Sequence, residues 1–223
     1  SCGRSAAAVG AGIRVSPGAE PSWQNGQLRL QAVPVCTQSS RSAVRRIASL
    51  IGRGHEIGDL IRDSEAFSRD ASRRAHAPIF IPYLTGERTP HNDPEAHGIF
   101  AGLRAEHDAV AMAYAVMEGV GFCFADHFDI LSDAGITLKN CLLVGGGARS
   151  DFWGQMLADI VNFPLDLPEG AELGGAFGAA RLAMLAANAG TETEICYRPK
   201  IKTRFTPDAH QRQIVMPRLK RFR

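Results

Sequence analysis

Leu142-Leu143-Val144 runs directly into Gly145-Gly146-Gly147, and a helical period begins immediately behind them, so this stretch reads as strand, glycine turn, helix. Ser150 stands where a helix needs a capping side chain, and Trp153, Met156, Leu157, Ile160 and Val161 recur on one face of the helix it would cap. Three residues in a row without Cβ allow a sharp turn and let a ligand approach the main chain. The helix behind offers N–H groups without intrahelical partners and the positive end of a dipole, which suits a phosphate-bearing ligand. The same triplet also serves as a tight structural turn, so by itself it leaves both readings open.

The flanking patterns place this unit in a layered fold. Ile79-Phe80-Ile81 reads as a short buried strand, followed by a polar loop from Thr85 to Pro94 that holds Gly86, Pro90 and Pro94. Val110, Ala113, Met117, Val120 and Phe124 repeat at the spacing of a long helix, in which Gly119 and Gly121 imply close packing or a bend. A strand at Cys141–Val144, the Ser150 helix, a strand at 163–167 and a small-residue helix over 173–187 follow. Strands alternating with helices predict an α/β domain with at least part of its sheet parallel. Thr206-Pro207-Asp208 reads as a last helix start, with Ile214 and Leu219 docking that helix. Residues 1–75 are rich in Gly, Ser, Ala and Arg, and only Val44, Ile47, Ala48 and Ile51 share a helical face there.

Composition excludes several function classes. With 223 residues, 45% of them hydrophobic, the chain can bury a core, and a net charge of +2 gives no general case for nucleic-acid or membrane-surface binding. Nine basic residues between Arg198 and Arg223 face one acid, Asp208, and read as a solvated helix and its approach in preference to a nucleic-acid contact. Five scattered cysteines without a C-x-x-C pair fit a reducing compartment. His91, His97 and His107 lack zinc-ligand spacing, so no protein-bound metal is expected. No run of about eighteen apolar residues and no basic-then-apolar leader is read, which predicts a soluble, cytoplasmic protein.

Several ordered motifs then carry a resemblance. Phe80-Ile81-Pro82-Tyr83-Leu84-Thr85-Gly86-Glu87-Arg88-Thr89-Pro90-His91-Asn92-Asp93-Pro94, then Gly98-Ile99-Phe100-Ala101-Gly102-Leu103, then Glu118-Gly119, the glycine loop with Gln155 and Ala158-Asp159, and Gly175-Ala176-Phe177-Gly178-Ala179-Ala180 match in order and spacing. Over about residues 78–187 the chain resembles the C-terminal half of FGGY-family sugar kinases, and within them it is most similar to xylulose kinases. The resemblance implies an actin-like ATPase fold of the ribonuclease H-like kind, a mixed sheet flanked by helices. Residues 76–223 would be the nucleotide-binding domain, and residues 1–75 an atypical remnant of the family's central region.

The resemblance also implies a site. Gly145, Gly146 and Gly147 would approach ATP, Arg149 and Gln155 would border it, and the helix entering at Gly174-Gly175 would lie beside the adenine end. The chemistry would be γ-phosphoryl transfer to a ketose hydroxyl with Mg²⁺ and an aspartate base. Where that aspartate is placed, after which Ser5-Ala6-Ala7-Ala8-Val9-Gly10-Ala11-Gly12 resembles the family, the chain has Gly3, and the family's glycine–threonine loop is not recognisable between Pro21 and Val44. No catalytic residue is therefore assigned, and the ketose would be a partner only if the N-terminal domain is supplied. The alternative is an inactive, truncated or degenerate kinase that at most binds nucleotide.

Duller roles stand beside the functional ones. Glu87 and Arg88 fit loop-bracing ion pairs as well as a cleft wall, His91 a loop hydrogen bond, and Asp159 a brace for the next turn. Gly178, Ala179 and Ala180 read as close helix packing. Ala111 and Tyr114 stand where the family carries a polar residue and an arginine.

Overall fold

The computed structural model describes residues 56–223 except 88 and 90, together with the backbone of four short strands, β1 (Gly12–Pro17), β2 (Trp23–Gln24), β3 (Gln27–Leu28) and β4 (Val33–Val35). Gly3, the helical face at Val44–Ile51 and Arg88 lie outside the described residues. The elements that follow are α1 (Ile57–Ser68), α2 (Ala71–His76), β5 (Ile79–Ile81), β6 (Ile99–Ala101), α3 (Ala109–Asp133) and β7 (Leu138–Val144). A 3₁₀ turn (Gly146–Arg149), α4 (Asp151–Val161), β8 (Leu165–Pro168) and a second 3₁₀ turn (Ala171–Leu173) lead to α5 (Gly175–Ala186), α6 (Glu192–Ile195), β9 (Ile201–Phe205) and α7 (Ala209–Phe222).

The main sheet runs β4-β1-β7-β8-β9. β7 pairs antiparallel with β1, Ile13 opposite Leu143, and parallel with β8, Leu142 opposite Asp166. The β7–α4–β8 unit therefore supplies the parallel part of the sheet that strand–helix alternation predicts. β9 adds antiparallel to β8, where Arg204 clamps Asp166 with two hydrogen bonds of 2.6 and 2.9 Å.

Helix α3 is the centre of the packing. Asp108 caps it by accepting from the Ala111 amide at 2.7 Å. Val120, Phe122, Cys123 and Phe124 are at most 2% exposed within a cluster that also contains Leu157, Ile160, Leu143 and Phe222. Its other side meets the β5–β6 hairpin, where Phe80 and Phe100 hold their rings 4.5 Å apart. Both glycines of α3 serve close approach: a Cβ at Gly119 would overlap the carbonyl oxygen of Phe80, and one at Gly121 would strike Ile160. Gly178 differs from its expected role, since it lies exposed with nothing within 4 Å of its missing Cβ, and Ala179 and Ala180 are exposed beside it.

Two further expectations change. Asp208, and not Thr206, caps the last helix, accepting from the amides of His210 and Gln211, and Val215, Arg218, Leu219 and Phe222 dock it while Ile214 is half-buried. By length and composition α3 is apolar enough to cross a bilayer, which the count of apolar runs missed. Most of it is buried inside the fold, with Glu118 paired to Arg218 on it, so it is the core helix.

Candidate functional site

The site grows from the end of β7. Gly145 takes φ 100° and ψ −172°, a conformation open essentially to glycine alone, and turns the chain off the strand. Its buried amide donates to the carbonyl of Ala171 at 2.7 Å, which ties the first glycine to the second 3₁₀ turn. Gly146 and Gly147 are half-buried at the head of their own 3₁₀ turn, where the first amides have no acceptor within the turn. Ser150 then accepts from the Trp153 amide at 3.1 Å and starts α4.

The second wall comes from the start of α5. Gly174, at φ 50° and ψ −124°, would place a Cβ 3.4 Å from the Cα of Gly145, so the two glycine segments meet backbone to backbone. Gly145 and Gly174 are thus brought together, with Gly146, Gly147 and Gly175 next to them along the chain and Arg149 exposed at the end of the turn. Gln155 is engaged elsewhere: its Nε2 donates to Asp159 Oδ1 and to the carbonyl of Thr206, both at 2.8 Å. Asp159 also accepts from the Asp208 amide at 2.8 Å, which ties α4 to the start of the last helix. Burial raises the Asp159 carboxyl above its ordinary value, against the lowering effect of those hydrogen bonds.

Trp153 is a contributor that the sequence places only on a helix face. Its ring lies under Gly147, where a Cβ would stand 2.6 Å from Cζ3, and its indole N–H donates to the Met117 carbonyl of α3 at 3.2 Å. The cue available in the sequence is the pairing of a bulky aromatic with a glycine six residues earlier, on opposite sides of the Ser150 cap.

The 85–94 loop braces itself. Glu87 and Asp93 exchange backbone hydrogen bonds of 2.8 and 2.7 Å, Glu87 Oε1 accepts from the Thr89 amide, and His91 Nε2 meets Tyr83 Oη at 3.1 Å. Beside it lies a groove of about 480 Å³ lined by Tyr83, His91, Asp126, Asp129, Asp133 and Arg223 among others. Arg223 binds Asp126 and Asp129 there. Burial pushes the Tyr83 phenol and the Cys123 thiol far up, so neither supplies an anionic nucleophile near neutral pH. Among the described residues no group of three His, Cys, Asp or Glu side chains is placed to hold a metal ion.

Comparison with known proteins gives one consistent result. The sequence profile of the FGGY family of carbohydrate kinases, C-terminal domain, matches residues 35–187. The chain is 43% identical over 159 residues to the xylulose kinase of Escherichia coli K12, covering 71% of this chain and 33% of the relative. It is 46% identical over 121 residues to the xylulose kinase of Klebsiella pneumoniae, covering 54% of this chain and 25% of that one. Among solved structures, a xyloylose kinase from Brucella ovis superposes with a TM-score of 0.66 at 34% identity, over 81% of this chain and 37% of the other. A ligand-bound xylulose kinase from Lactobacillus acidophilus gives 0.67 at 25% identity, over 83% and 37%. The chain spans about a third or less of the length of these curated relatives.

Proposed function

This chain belongs to the FGGY family of carbohydrate kinases, with the mixed α/β architecture of the actin-like ATPases, and from that premise we propose that it is the nucleotide-binding part of a xylulose kinase-type phosphotransferase. Residues 76–223 form that nucleotide-binding domain in this reading. The observation that carries it is the meeting of Gly145 with Gly174 at the end of β7, which leaves the amides of Gly146 and Gly147 heading a turn beside the start of α5.

Two strand-to-helix turns stripped of side chains leave a backbone-walled cradle, and its donors suit phosphate oxygens. Gly146 and Gly147 hold the nucleotide phosphates through their amides, Gly145 and Gly175 keep side chains out of the way, and Arg149 offers its guanidinium at the rim. Gln155 acts from behind, by fixing the angle at which α4 leaves the loop. ATP supplies the γ-phosphoryl group, and a divalent ion would be held by its phosphates.

Phosphoryl transfer is positioning plus charge neutralisation, and it needs a sugar-binding wall opposite the nucleotide and a base for the hydroxyl proton. With Gly3 where the family resemblance places its aspartate, the 223-residue chain binds nucleotide without transferring phosphate to D-xylulose. A coupled assay of ATP-dependent xylulose phosphorylation by this chain tests that statement. Background turnover is the result expected, and turnover at the about 10 s⁻¹ typical of enzymes would overturn it.

A further inference from the structure

Trp153 joins two parts of the molecule that no sequence motif connects. Its ring is 5% exposed and lies against Gly147, so that a methyl group at 147 would stand 2.6 Å from Cζ3 and 2.9 Å from Cε3. Its indole N–H donates to the Met117 carbonyl, one residue before the buried Glu118 of α3. Ser150 fixes the Trp153 backbone from the other side by accepting its amide hydrogen. The residue is therefore held at main chain and ring alike, and its ring is the floor under the glycine loop.

We propose that Trp153 is the positioning residue of the nucleotide site: its ring sets the height of Gly147 above α4, and its bond to Met117 ties that height to the core helix. This rests on the reading of the glycine loop as the nucleotide cradle and adds the device that holds the cradle in shape. A backbone donor is useful to a phosphate only when its direction is fixed before the ligand arrives, and glycines cannot fix their own. Gly145 is fixed by Ala171 and by the approach of Gly174, while Gly147 is fixed by the indole.

The test uses the whole chain and MgATP as the probe, with affinity read by calorimetry. Gly147→Ala forces a methyl group into the indole and weakens binding by about tenfold or more, and Trp153→Phe, which loses the N–H and the outer ring atoms, weakens it by a smaller factor. Because Trp153→Phe also makes room for the methyl group, the double variant binds no more weakly than Gly147→Ala alone. A double variant whose loss equals the product of the two single losses overturns the proposal. A second measurement leaves Trp153 in place: in a Trp23→Phe chain, a ring fixed before the ligand arrives keeps its emission maximum while MgATP saturates the calorimetric site. A shift of that maximum that tracks the calorimetric half-saturation, which means that ring and loop rearrange on binding, also overturns it. Unchanged affinity in Gly146→Val would instead remove the nucleotide reading itself, whereas lost affinity there with multiplicative single losses removes only the role of Trp153.

Discussion

Glu118 and Arg218, one hundred positions apart, form a two-pronged ion pair that is at most 3% exposed on either side. Arg218 Nε lies 2.9 and 2.8 Å from the two carboxylate oxygens and Nη2 lies 2.6 Å from Oε2. The same guanidinium donates to the carbonyls of Ala77 and Pro78 at 2.9 and 3.1 Å, and Tyr114 Oη donates to Glu118 at 3.1 Å. Burial pulls the Arg218 guanidinium down, but its hydrogen bonds to the Glu118 carboxylate and the charge there outweigh it and hold the group above its ordinary value. The last helix is thereby bolted to α3 and to the entry of β5.

Removing one partner strands a buried charge, so Arg218→Met and Glu118→Gln should each lower the unfolding free energy, the former by about 3–5 kcal/mol. The double variant Glu118→Leu/Arg218→Met should lose less than the sum, since no charge is left unpaired. Urea denaturation followed by circular dichroism measures all three. A cost below about 1 kcal/mol for Arg218→Met, as for an exposed pair, would contradict the finding.

Two helical glycines should respond in opposite directions to alanine. At Gly119 the methyl group meets the Phe80 carbonyl, which is backbone and cannot step aside, so Gly119→Ala should cost about 1–3 kcal/mol or more. At Gly178 nothing lies within 4 Å, and Gly178→Ala should stabilise by about 0.5–1 kcal/mol through helix propensity. Thermal melts of the two variants side by side suffice, and equal shifts of the same sign would refute the packing account.

Asp159 sets a pH dependence. Burial raises its carboxyl in the folded state, and the Asp208 carboxylate adds to this, while the Asp208 amide, Gln155 and Arg74 oppose. A raised folded value means stability that is fully present below the unfolded carboxyl value of about 3.9 and is lost as pH rises through the folded one. Asp159→Asn keeps an acceptor oxygen for the Asp208 amide and has no proton to lose. The stability of Asp159→Asn relative to the parent should therefore rise as the pH climbs above the unfolded carboxyl value. A difference that stays flat over that climb would contradict the role of burial.

Much of the fold was legible because its signals are local. The Ser150 cap with Trp153, Met156, Leu157, Ile160 and Val161 behind it gave α4, and Ile79-Phe80-Ile81 gave β5, since caps and periods need no knowledge of distant residues. β6 was not read, because Ile99 and Ala101 are exposed and only pairing with β5 makes them a strand. The partner of Glu118 was equally hidden: Tyr114 replaces the arginine that the resemblance expects one turn away, and the charge that meets Glu118 arrives from a helix with no sequence link to it. At the site, the glycine triplet was plain in the sequence. What holds each glycine was not, because that depends on Ala171 accepting from Gly145 and on Trp153 lying under Gly147.

Calorimetric titration of MgATP into the parent chain and into Gly146→Val decides whether the proposed cradle of Gly146 and Gly147 amides holds a nucleotide. Saturable binding by the parent is expected, with at least a tenfold loss, about 1.4 kcal/mol, in a variant whose circular dichroism spectrum is unchanged. Equal affinity for MgATP in the two folded proteins would contradict it.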